Sequence, residues 1–251
     1  MVLPLGLASR WKPLPLRMIN LKARSREKEL LDGDDIPFAD IRQNMQELNT
    51  INTLLGGHKI TVEGVRQLTP TAKSTITICE IGCGGGDNLQ AIETFLQKKN
   101  IRANYIGIDI KPECTAIAKS QYPNLDAKWI TSDYKLVTFE QKPTIVFSSL
   151  FCHHFYGEDL VDMLQWMHQN SIAGFFINDL ERNTLAFYAI KYLSAIFSRS
   201  YLVKNDAPLS VARGFHREEW KELFNKAGIT EFIIHWKWAF RYLIICKHEQ
   251  G

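Results

Sequence analysis

Apolar positions along the chain repeat with two different periods, and the two alternate. Short runs rich in β-branched and aromatic residues stand at 75–81, 104–110, 127–133, 143–151 and 172–180. Each reads as a strand, and the unbroken run PTIVFSSLF at 143–151 reads as one buried on both faces. Between them, 87–99, 112–120 and 158–169 carry helical spacing. Strands alternating with helices predict an open, mostly parallel α/β sheet. Two last runs, 230–238 and 240–247, alternate and pair readily as an antiparallel hairpin.

Two more helices precede the sheet. Residues 38–56 place Ile41, Met45, Leu48, Ile51 and Leu55 at helical spacing and stop at Gly56-Gly57; a second helix is expected over 61–68, before Pro70. Both are expected to lie across the carboxyl edge of the sheet as a lid. Asn49 and Asn52 supply polar contacts inside that lid, or else sit solvated on an amphipathic helix. After the fifth strand, LAFYAIKYLSAIF at 185–197 has an apolar arc too broad for a helix with one buried face. It covers an acceptor pocket with aromatics such as Tyr188, touches a membrane surface or a second subunit, or simply packs in the core. Residues 206–216 read as a loop entering a helix at 216–227 that stops at Gly228; Arg213 and His216 lie within reach of the cleft.

The chemistry concentrates in TITICEIGCGGGDNL, residues 75–89, where a strand breaks into four glycines and then a helix. Such a turn holds a nucleotide-like ligand over the edge of an α/β sheet. A dinucleotide fingerprint starting at Gly82 wants glycine at 87, where Asp stands, and the Gly-Lys-Ser/Thr of a phosphate loop is absent. Glu80 and Asp87 beside the turn repel a pyrophosphate and suit a cation. Asp109, ending the second strand, is placed to accept from both ribose hydroxyls of a nucleoside.

At the end of the fourth strand stand His153 and His154, whose imidazoles titrate near neutral pH. One of them acts as a general base or orients the acceptor; otherwise one caps the following helix and the other packs. No metal is expected, since adjacent histidines point apart and no third ligand is spaced nearby. Asp179 and Arg182, at the end of the fifth strand, form a buried pair that stabilises the loop, or contact substrate.

Composition narrows this little. The chain of 251 residues suits one α/β domain with a small appendage, and a net charge of +3 from 30 diffuse basic residues gives no case for nucleic acid. Five cysteines without C-x-x-C or zinc spacing read as small core residues in a reducing cytosol. Residues 1–20 are apolar and basic but interrupted by Pro4, Pro13 and Pro15, too broken to span a bilayer or to act as a signal peptide. They form a loosely packed tail or a targeting or surface-docking segment, and Met18 is an alternative natural start, which intact mass of the native protein settles.

EIGCGGGD, YIGIDI, TSD and SSLFCHHF occur in the order and spacing of the class I S-adenosylmethionine-dependent methyltransferases, which the chain resembles over residues 70–247. LLGG, the paired histidines and INDLER are similar to a small-molecule branch near the ubiquinone and menaquinone methyltransferases. The resemblance implies a Rossmann-like sheet of seven strands with a terminal antiparallel hairpin. It divides the chain into a tail (1–23), a helical lid (24–69) and the methyltransferase domain (70–251), with a helical insertion at about 183–200.

By the same resemblance S-adenosyl-L-methionine is the cofactor. Glu80, Gly82 and Gly84 line its methionine moiety, Asp109 its ribose and Asp133 its adenine, with Cys83, Asn88 and Ser132 as further cofactor contacts. Ile110 or Tyr134 flanks the ring, and Ser149 and Leu150 approach the sulfonium. Asn52, Asp179, Arg182, Tyr188, Arg213 and His216 are the expected substrate contacts. SSLF stands where Asp/Asn-Pro-Pro-Tyr/Phe marks methylation of amide or adenine nitrogen, which argues against those acceptors. The implied activity is O- or C-methylation of a small aromatic or polyketide-like acceptor by a cytoplasmic monomer or homodimer, with peripheral membrane contact left open. A macromolecular methyltransferase and a non-catalytic S-adenosylmethionine-binding protein are the alternatives.

Overall fold

The computed structural model describes residues 20–70 and 75–248. The tail expected over residues 1–19, with Met18, lies outside them. The sheet comprises β1 (Ile76–Ile81), β2 (Ala103–Asp109), β3 (Ala127–Thr131), β4 (Ile145–Ser149), β5 (Gly174–Leu180), β6 (Ile233–Lys237) and β7 (Arg241–Lys247). Their order is β3-β2-β1-β4-β5-β7-β6, with the first five parallel and β7 antiparallel to both β5 and β6. The order reverses between β1 and β4, the place where open α/β sheets bind ligands.

Helices cover both faces. Here α1 is Phe38–Leu54, α2 Gly57–Leu68, α3 Asp87–Gln97, α4 Pro112–Gln121, α5 Glu158–Gln169, α6 Thr184–Phe197, α7 Tyr201–Arg213 and α8 Arg217–Lys226. On one face Leu160, Met163, Leu164 and Met167 of α5 and Trp220 and Phe224 of α8 pack on Cys79, Val146, Phe175 and Ile244. On the other, Ile60, Val65 and Leu68 of α2 and Leu89, Ile92 and Leu96 of α3 pack on Ile78, Phe147 and Phe176. The rings of Phe147 and Phe176 stack at 4.8 Å across β4 and β5.

Two expectations need correction. The helix α2 is not a lid: it begins at Gly57, four residues earlier than its periodicity suggests, and lies flat on the sheet, with Gly64 admitting the Phe176 ring. Of the expected lid, α1 and the segment 24–37 are the described parts that cross the edge. Residues 206–213 are not a loop either. They complete α7, which runs through Pro208, because burying Leu202, Val203, Leu209, Val211 and Ala212 outweighs the roughly 3 kcal/mol that an interior proline costs. The pair α6–α7 therefore roofs the edge beside α1.

Candidate active site

The turn after β1 depends on two glycines. Gly82 (φ 68°) faces the Phe151 ring so closely that a Cβ would overlap it, and Gly84 (φ 50°) opens its backbone to the cavity. Gly84 N–H donates to Asp109 Oδ2 at 2.9 Å and Lys111 N–H to Oδ1 at 2.9 Å, so the β2 carboxylate is fastened to the turn. Burial pushes Asp109 up from the usual carboxylate range, with those two backbone donors pulling the other way.

Glu80 is 1% exposed. Its Oε1 accepts from Asn88 Nδ2 at 2.8 Å, while Oε2 has no partner among the described residues. Burial, reinforced by Asp87 and Asp109, holds its carboxyl well above the ordinary range. An orphaned buried acid of this kind fits a cationic ligand. Asn88 Oδ1 continues to His58 Nδ1 (2.9 Å), and His58 Nε2 to Asn49 Oδ1 (2.9 Å), joining the turn to α2 and α1. His58 went unnoticed in the sequence because it adjoins a helix stop and gains its partners only in the fold.

A cavity of about 440 Å³ opens here, lined by Glu80, Gly82, Cys83, Gly84, Asn88, Asp109 and Ile110, then by Ser149 and Leu150 at the end of β4. Leu150 adopts φ 53°, a left-handed conformation costly for a side-chain-bearing residue. The cavity continues between Leu48 and Ile51 of α1, Ile190 and Leu193 of α6, Val211 of α7 and Trp238. A second cavity of about 580 Å³ shares Gly82, Asp109 and Ile110 and holds Ser132, Asp133 and Tyr134. There Asp133 accepts from Lys135 N–H at 2.9 Å, and Tyr134 packs edge-on against Trp166 with its hydroxyl unpartnered among the described residues.

The histidine loop differs from expectation in its partners. His153 and His154 do not point apart: their rings lie 4.6 Å from one another at 34°. His153 Nδ1 bonds Asp179 Oδ1 at 2.8 Å, and its Nε2 faces Glu29 Oε1 at 3.5 Å. His154 Nδ1 bonds Asp32 at 3.1 Å, and its Nε2 lies 3.7 Å from Glu29 Oε2. The third group absent from the local sequence thus comes from the segment before α1, and ligand-type atoms of Glu29, His153 and His154 gather within 4.8 Å. Arg213 places positive charge beside them, 3.9 Å from Glu29 and 3.3 Å from Asp32. Burial would push the His153 imidazole down, but Asp179 and Glu29 outweigh it and leave it raised to about 9. Burial likewise opposes ionisation of Asp32, yet His154 and Arg213 hold it at about 2.

Several expected substrate contacts serve the scaffold. Asp179 and Arg182 do not pair: Asp179 is committed to His153, and Arg182 forks onto Glu219 at 2.9 Å. Arg213 donates to the carbonyls of His153 (3.1 Å) and His154 (2.9 Å), fixing the loop's backbone. His216 is exposed at the start of α8, its N–H donating to Glu219. Tyr188 stacks on Tyr192 on the outer side of α6, and neither it nor His216 lines the two cavities. Asn52 does line the first cavity, where its Oδ1 accepts from Arg241 Nη2 at 3.0 Å. Glu29 and Arg241 escaped the sequence reading. Glu29 has no local signal, whereas Arg241 is a charge opening an otherwise apolar strand.

Residues 78–170 match the family model of a methyltransferase domain. No curated protein sequence matches the chain. Among solved structures, it is similar to the plantazolicin methyltransferase BpumL in complex with SAH, with TM-score 0.57 and 18% identity over 79% of this chain and 72% of that one. It is similar to human N-acetylserotonin methyltransferase in complex with SAM, with TM-score 0.59 and 13% identity over 84% and 56%. It also resembles the CurJ carbon methyltransferase, with TM-score 0.53 and 17% identity over 75% and 53%. At these identities the structural likeness is one of fold. Together with the domain match over residues 78–170, it makes the chain similar to the S-adenosylmethionine-dependent methyltransferases in fold and in the segment around the glycine turn. Among the described residues, no helix is long and apolar enough to cross a membrane.

Proposed function

We propose that the protein methylates a hydroxyl or an acidic carbon of a small aromatic or polyketide-like acceptor. The observation that carries this reading is the cavity itself: an orphaned acid beside an open glycine turn at one end, and an apolar chamber roofed by α1, α6 and α7 at the other. Bound there, S-adenosylmethionine supplies an electrophilic methyl group on a sulfonium. Glu80, steadied by Asn88, receives the α-ammonium, and Gly82, Cys83 and Gly84 leave room beside it. Asp109 keeps lone pairs for the ribose hydroxyls, while Ser132, Asp133, Tyr134 and Ile110 enclose the adenine. Ser149 and Leu150 border the point of transfer.

The chain's part in catalysis is placement and proton removal. Holding acceptor and donor in line supplies most of the acceleration in a transfer of this kind. The apolar roof excludes water, which would otherwise compete as acceptor. Both ring nitrogens of His153 face carboxylates, so it keeps its proton and positions the loop. His154, on the cavity wall, holds Asp32 through Nδ1 but meets Glu29 at Nε2 only loosely, at 3.7 Å, which leaves that nitrogen room to take a proton from the acceptor, a contribution of about 10²–10⁴-fold. A roofed chamber favours a small acceptor over a macromolecular one. The protein then works in the cytoplasm as a monomer or homodimer, with 24–54 as the movable cover of the 70–251 domain. Calorimetry with S-adenosylmethionine, followed by a methyl-transfer screen of phenols, quinols and polyketides, tests the reading. Absence of cofactor affinity overturns it.

A further inference from the structure

Arg241 is a buried cation whose charge no described residue pairs with. It is 3% exposed, and its Nη2 donates to Asn52 Oδ1. Nε and Nη1 have no partner among the described residues. Burial pushes the guanidinium down to about 10, with Asp179 the one acid pulling the other way. Asp179 is already engaged by His153 Nδ1, His153 N–H and Leu180 N–H. Arg241 lies against the first turn of α2: a Cβ at Gly57 would overlap its Nη1 and stand 3.2 Å from its Cζ. That helix end is uncapped by any side chain, and Gly57 O is held by Asn178 Nδ2 at 3.2 Å. First-turn N–H groups lack intrahelical acceptors and carry the positive end of the helix dipole. Two positive features therefore converge at one wall of the cavity, where each raises the cost of the other unless an anion joins them.

We propose that Arg241, held by Asn52 at the start of α2, is an oxyanion-binding site for the acceptor, selecting a carboxylate or an ionised enol. The neighbouring lining favours the acceptor as the source. Trp238, Ala239 and Phe240 run directly into Arg241 and wall the apolar chamber with Leu180, Ile190 and Leu193. The cavity is thus bipolar, with acids at the glycine turn for a cationic donor and a guanidinium at the far strand for an anionic acceptor. This inference rests on reading the chamber as the acceptor pocket, but its test needs no turnover.

The experiment compares sodium benzoate with benzamide, matched in shape, by thermal shift on the whole protein without cofactor. Benzoate is expected to raise the melting temperature and benzamide not to. In Arg241→Met the benzoate response disappears, while affinity for S-adenosylhomocysteine stays within about threefold of wild type. Because Arg241→Met replaces an unanswered buried charge with a similar apolar volume, its own melting temperature is expected to equal or exceed that of wild type. A purely structural arginine predicts the opposite. Gly57→Ala, which forces the guanidinium aside, is expected to weaken benzoate binding about tenfold and serves where Arg241→Met does not fold. Equal responses to benzoate and benzamide overturn the proposal, as does a benzoate response retained in Gly57→Ala. A tenfold or larger loss of S-adenosylhomocysteine affinity in Arg241→Met also overturns it, since the anion is then the donor's own carboxylate.

Discussion

Glu80 and Asp179 are both buried carboxylates at the carboxyl edge of the sheet, on β1 and β5, and their surroundings treat them in opposite ways. Glu80 has one oxygen on Asn88 and the other on nothing among the described residues, and its carboxyl is held well above the ordinary range by burial. Asp179 is as deeply buried, yet His153 outweighs the desolvation and draws it below that range. The first arrangement costs stability in the free protein and leaves an oxygen open to a ligand; the second is complete in itself. Burial alone therefore does not identify a binding residue. The distinguishing sign is whether the chain has already supplied the counter-charge.

The largest effect that tests this contrast is expected from Asp179→Asn. Breaking a buried pair leaves the His153 cation without its main partner and should cost about 3–5 kcal/mol in chemical denaturation. A loss under about 1 kcal/mol would show the histidine loop to be less self-contained than its geometry indicates. The pH dependence of stability follows next. His153 is raised from 6.5 to about 9, so its stabilisation is complete below about 6.5 and is lost as pH rises through about 9. The groups facing it are Asp179 and Glu29, with Arg24 and Arg213 on its carbonyl oxygen. Over that window unfolding free energy should fall by roughly 3 kcal/mol, and His153→Gln should flatten the profile.

Glu80→Gln probes the other side. We expect S-adenosylmethionine affinity to drop about 100-fold, near 3 kcal/mol, while the melting temperature holds or rises. A fall in both would move Glu80 into the structural category. The smallest difference separates the two faces of α6. Leu193→Asn, on the cavity side, should raise acceptor KM about tenfold, whereas Tyr188→Ser, on the outer side, should change it less than about twofold. Equal effects would mean that the chamber extends over the helix rather than beneath it.

The strand positions, the glycine turn and the edge acids were legible because they depend on local patterns: alternation, β-branching and a break into glycine. The roles of Glu29, His58 and Arg241 were not, because each acquires its partners from distant segments. Arg182 shows why nearness in sequence misleads. Three residues from Asp179, it nevertheless meets Glu219 at 2.9 Å from α8, and Asp179 turns to the β4 loop instead. Pro208 misled in another way, since a local helix-breaking signal lost to the burial of α7.

The hairpin of helices α1 and α2 has an asymmetric foundation. Gly56, with φ 76° and open space around it, joins a helix anchored in the interior to one whose inner side is the wall of the ligand chamber. Exchange of reactants is therefore expected to be a door problem, with residues 38–54 predicted to swing while 57–68 serve as the jamb. Hydrogen exchange during turnover should show the first segment opening repeatedly and the second staying shut.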